Sequence, residues 1–96
     1  MADQMISEQD IVNAICMKQA RSHNVQPEDV EVELLYDDED GFSAEVHIGS
    51  QMHVLNSFHM IQAIRFWIEH VLHEDPYAAG IKLLLDREEG IIAAVH

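Results

Sequence analysis

Two stretches of this 96-residue chain are nearly the same and lie 49 positions apart: Tyr36–His47 reads YDDEDGFSAEVH, and Leu85–His96 reads LDREEGIIAAVH. Sliding residues 1–47 onto 50–96 without a gap pairs Ala14 with Ala63, Ile15 with Ile64, Pro27 with Pro76, Leu34 with Leu83 and Leu35 with Leu84. It also pairs Asp37 with Asp86, Glu39 with Glu88, Gly41 with Gly90, Ala44 with Ala93, Val46 with Val95 and His47 with His96. One ungapped offset held through a helix, a proline and a hairpin points to an internal repeat. Two copies are too few for a solenoid. The expectation is one domain over residues 1–96, with repeat 1 at about 1–49, repeat 2 at about 50–96, and pseudo-twofold symmetry.

Each half reads alike. Ser7-Glu8-Gln9-Asp10 is a helix start, with a capping side chain and an acid three residues later. Ile11, Val12, Ile15 and Cys16 form a stripe at helical spacing, and the helix should fade near His23–Asn24, ahead of Pro27. In the second half, Asn56 or Ser57 caps a helix running to about His73, ahead of Pro76. Its inward face is read as Phe58, Ile61, Ile64, Ile68, Val71 and Leu72, leaving His59, Phe66, His70 and His73 on the outer side.

After each proline the period becomes two. Val30, Val32, Leu34 and Tyr36 alternate with Glu31, Glu33, Leu35 and Asp37; Ala79, Ile81, Leu83 and Leu85 do the same. The chain reverses at DDEDG and DREEG, where glycine supplies the positive φ that ends a tight turn. Return strands follow, and a short strand at about 51–55 leads into the second helix, with a counterpart at 4–6. The order (β)αββ-βαββ predicts an α+β fold: a two-layer sandwich, an antiparallel sheet with two helices on one face, built on an internal αββ duplication.

Eighteen acidic residues against five basic ones give a net charge of −13. Phosphate backbones and anionic membranes repel such a surface, so neither nucleic acid nor membrane is an expected partner. The N-terminal MADQMISEQD has neither the basic region nor the apolar run of a signal peptide, and a lone Cys16 forms no intramolecular disulfide. These features are those of a cytoplasmic protein.

No nucleophile elbow, glycine-rich phosphate loop or CxxC occurs, and nothing argues for an enzyme. The candidate surfaces are of two kinds. The sheet face away from the helices gathers Leu35, Met52, Val54, Leu84, Ile92 and Ala94, a wider apolar patch than monomers leave in water, and Phe66 adds an outer-face aromatic. A homodimer or a docked protein partner would cover them. The run Glu69–Asp75 sets His70 and His73 three apart, with Glu69 and Glu74 beside them. Two imidazoles and a carboxylate suit a divalent transition metal, although no cofactor is required by the sequence. The leading expectation is a non-enzymatic interaction or assembly module; the rival is a metal-ion or small-ligand binder using those surface histidines and acids.

The stretches EDVEVELLYDDEDGFSAEVH and SEQDIVNAI resemble a small family of uncharacterised cytosolic proteins, a domain of unknown function, from spore-forming Gram-positive bacteria. The resemblance covers almost the whole chain and implies a bacterial cytosolic protein. It carries no catalytic motif, so it assigns no functional residue.

Overall fold

The computed structural model describes residues 4–96. Along the chain run β1 (Gln4–Ile6), α1 (Glu8–His23), a 3-10 turn (Pro27–Asp29), β2 (Val30–Asp37), β3 (Gly41–Ile48), β4 (Gln51–Asn56), α2 (Ser57–His70), β5 (Ile81–Asp86) and β6 (Gly90–Val95). The fold is α+β, and every strand pairing is antiparallel.

Both helices begin at side-chain caps. The Ser7 hydroxyl accepts the Asp10 N–H at 3.1 Å, and the Asn56 carbonyl accepts that of His59 at 2.9 Å. Each relieves one of the unpaired donors of a first turn. Both helices also leave through a left-handed residue, Asn24 (φ 58) after α1 and His73 (φ 56) after α2. The N–H groups that follow reach back to Ala20 O and Ile68 O, which closes the last turns. These two exits are again 49 residues apart. They stop α2 at His70, three residues short of the end expected from sequence.

The strands fall into two three-stranded sheets, β1-β6-β5 and β2-β3-β4, where one sheet was expected. Strand β2 comes up against β6 without joining it. Strand β6 pairs with β5 along its length and with β1 at Ala93–Val95, and its Ile91 N–H is taken by the Glu8 carboxylate at 3.0 Å. Each short strand completes the hairpin of the other half: β1 lies on β6, and β4 lies on β3. The registers keep the 49-residue offset. Ile6 faces Ala93 as Leu55 faces Ala44, and Leu34 faces Ala44 as Leu83 faces Ala93.

The helices pack on each other, and each touches strands of both sheets. The molecule measures 43 × 33 × 21 Å; the short dimension is close to one helix layer on one sheet layer, roughly 10 Å each. One hydrophobic cluster draws on both halves, with Ile11, Ile15, Met60, Ile64 and Val46 fully buried. The inward face of α2 differs from the expected stripe: Met60 and Ala63 are buried, while Phe58 is 62% exposed and Val71 41%. Eight of the fourteen residues of α2 are apolar, so several stripes fit the helical period. Contact with α1 and with both sheets, rather than period, selects among them.

Candidate functional site

The acidic hairpin tips are built as turns. Asp37 accepts the N–H groups of Glu39 (2.8 Å) and Asp40 (3.1 Å), and Asp86 those of Glu88 (2.8 Å) and Glu89 (2.9 Å). These bonds hold both carboxyls below the ordinary aspartate value of 3.8. Because the folded value is depressed, the stabilisation is present above the ordinary value and is lost as pH falls through the lower, folded one. Asparagine keeps the acceptor oxygen without titrating. The double variant Asp37→Asn/Asp86→Asn should therefore lose less melting temperature than the parent between about pH 6 and about pH 3, followed by circular dichroism. Equal losses would show that the tips do not contribute to the acid limb.

The proposed metal ligands do not converge. His70 is the last residue of α2, and its Nε2 lies 3.8 Å from Glu69 Oε1. The left-handed backbone at His73 takes that residue and Glu74 off the helical face that would have stacked the two imidazoles. Among the described residues, no three His, Cys, Asp or Glu side chains gather as a metal site requires. The assumption that α2 continued to His73 is what the structure corrects. Cys16 is a free thiol that donates to Val30 O at 3.5 Å, and burial pushes its pKa up, away from the reactive thiolate.

The candidate sheet residues separate into three groups. Met52 (51% exposed) and Val54 (60%) stand in solvent on β4. Leu35, Leu84 and Ala94 are half-buried. Ile92, at 7%, is buried by its own chain and offers no free surface; its strand β6 is central, flanked by β1 and β5 and touched by β2. Met5 on β1, at 56%, is an exposed apolar residue that sequence reasoning passed over. Its signal is the offset, since it stands 49 residues before Val54.

The free edges of the sheets differ sharply. Strand β2 carries Glu31, Glu33 and Asp37, β5 carries Lys82 and Asp86, and β1 is three residues long. Strand β4, QMHVLN, has no Asp, Glu, Lys or Arg. Its inner residue His53 stacks against His23 with ring centroids 5.0 Å apart, and His53 Nε2 is buried without a hydrogen-bond partner.

Phe66 is half-buried on the outer face of the helix pair. Lys18 Nζ lies 5.5 Å from its ring centroid, Arg21 Cζ 5.7 Å, and the His70 ring 4.2 Å. Arg65 on the same helix donates to Pro76 O (2.6 Å) and Ala79 O (3.2 Å), which ties the approach to β5 against α2. This gathering of cations around an aromatic ring was not legible in sequence, where Phe66 stood out alone.

The described residues include no helix long and apolar enough to cross a membrane. No solved structure matches the chain. An uncharacterized protein of Bacillus subtilis (strain 168), YxcD, is 33% identical over 92 residues, covering 95% of this chain and 90% of that one. The family model described as a protein of unknown function (DUF2653) matches residues 1–88. With its capped helices, paired hairpins and two three-stranded sheets, this chain belongs to the DUF2653 family of proteins of unknown function.

Proposed function

We propose that the chain is a non-enzymatic assembly module of the bacterial cytosol that pairs with a second copy along the open edge of β4. The observation carrying this reading is that edge: six residues without a formal charge, in a chain whose residues are 24% charged. Exposed strand edges present unpaired N–H and C=O groups, and proteins usually guard them with charge, brevity or a bulge. Strands β2 and β5 carry charges and β1 is short, while β4 has none of these guards. Two copies joined antiparallel across a twofold axis would extend β2-β3-β4 into six strands and bring the exposed Met52 and Val54 side chains of both copies together. The absence of a catalytic constellation and the net charge of −13 favour a protein partner over a substrate or a nucleic acid. The shared 49-residue register of the ladders also favours reading the chain as a duplicated αββ unit.

Light scattering on a sizing column tests the pairing. The parent should elute at twice the 11.0 kDa of one chain. Val54→Lys puts like charges on facing edges and should weaken the dimer by about a hundredfold, roughly 3 kcal/mol, with the secondary structure unchanged. A parent that is monomeric at about 100 μM, well above the Kd of a stable dimer, overturns the reading. So does a dimer indifferent to Val54→Lys that Leu84→Glu dissociates.

A further inference from the structure

We infer that the outer face of the helix pair around Phe66 is a docking site for an acidic, extended segment of a partner protein. The chain has five Lys and Arg residues, and three of them, Lys18, Arg21 and Arg65, belong to this one face. Acidic residues outnumber basic ones eighteen to five, so internal neutralisation would be easy to arrange. Yet among the described residues both ion pairs within 4.0 Å join a glutamate to a histidine, and none involves Lys or Arg. Arg65 is occupied by two backbone carbonyls. Lys18 and Arg21 are held over the Phe66 ring, where the π-face favours a cation without neutralising it. Two cations and an aromatic are thus left unpaired on a surface otherwise dominated by negative charge.

The shape of the face selects the occupant. A recess lies on each side of Phe66, about 390 Å³ on the α1 side and about 210 Å³ on the α2 side. Three lining positions of the two are 49 residues apart: Met17 and Phe66, Ala20 and Glu69, Pro27 and Pro76. The difference in charge lies at one of those pairs. Ala20 lines the larger recess where Glu69 lines the smaller, so the smaller recess contains a carboxylate and the larger contains none. Met17, Ala20, Val25 and Phe66 make the larger recess apolar, Arg21 and His70 complete its lining, and Lys18 approaches the same Phe66 ring from the smaller recess. It fits one apolar side chain flanked along the peptide by carboxylates. A second copy is a poor occupant. It would offer blunt hairpin turns rather than an extended segment, and their Asp37 and Asp86 carboxylates already accept two N–H groups each.

The test is a titration of the ¹⁵N-labelled full chain with the peptide Glu-Leu-Glu-Leu-Glu, read by amide chemical shifts. Saturable shifts should centre on Lys18, Arg21, Phe66 and His70, with an affinity of about millimolar that weakens as salt rises. Phe66→Ala and the double variant Lys18→Glu/Arg21→Glu should each weaken binding at least tenfold, and unshifted signals elsewhere would show that the variants remain folded. Parallel titrations use Lys-Leu-Lys-Leu-Lys, inorganic phosphate and phosphatidylglycerol vesicles. No shifts with the acidic peptide, or shifts centred elsewhere, overturn the inference. Equal shifts with the basic peptide also overturn it, as does a response to phosphate or vesicles but not to peptide. If the same amides shift on dilution of the protein alone, the occupant is a second copy, and the inference fails while the β4 pairing remains separately testable by Val54→Lys.

Discussion

Ile15→Ala and Ile64→Ala should each cost about 3–4 kcal/mol, the middle of the range for emptying a fully buried aliphatic site. Both side chains have no exposed surface, and they occupy equivalent places in α1 and α2. The lost methyl and methylene groups leave a void that packed neighbours cannot fully close, so cavity and transfer terms add. At a fixed protein concentration the expected fall in melting temperature is roughly 15–25 °C for a domain of this size. The two losses should agree within about 1 kcal/mol, because the helices meet the same shared core. Urea unfolding gives the free energies. A loss below about 1 kcal/mol at either position would mean that the core is not packed as described.

Gly90→Ala and Gly41→Ala, also equivalent in sequence, should by contrast behave unequally. Both glycines have φ +79, which a β-carbon resists at about 1–2 kcal/mol. Around Gly41 the space is open. At Gly90 an added Cβ would lie 2.5 Å from Glu8 Oε2 and 2.9 Å from its Cδ. That carboxylate accepts the Ile91 N–H at 3.0 Å and so pins the first turn of α1 to β6. Room for a methyl group therefore requires breaking this bond, which adds about 1–3 kcal/mol to the cost at Gly90 alone. In a Glu8→Ala background the two glycine substitutions should converge. If they remain apart there, or are equal in the parent, the Glu8 contact is not the cause.

These two pairs also show what the sequence could tell. The hairpins were legible because Asp37–Gly41 and Asp86–Gly90 carry local turn chemistry, and the helix starts because Ser7 and Asn56 are local caps. The course of β2, β3, β5 and β6 followed from period two. Partner choice was not legible: alternation says which face a residue takes, and nothing in QMI or QMHVLN says which hairpin each will join. The division into two sheets rests on which strands meet β6, a tertiary fact. The reading of α2 failed where apolar residues exceed half the helix, so that Phe58 fitted the stripe as well as Met60. The candidate site was half visible. Met52, Val54 and Phe66 were found as apolar residues with no use in the core. Lys18 and Arg21 were not found, because they lie more than forty residues from the ring they approach, and helical spacing within one element cannot report a neighbour on another.

The exchange of short strands between halves has a consequence for synthesis. Gln4 pairs with Val95, so the first strand made must wait for the last. A ribosome that has released only the first half has made the β2-β3 hairpin without β4 to flank it, and β1 without β6 to receive it. Contacts this distant in sequence form late and slowly. The β1–β6 ladder therefore closes only once β6 is made, whereas β2-β3-β4, continuous from Val30 to Asn56, can form before it and exposes the outer edge of QMHVLN early to any other strand that meets it.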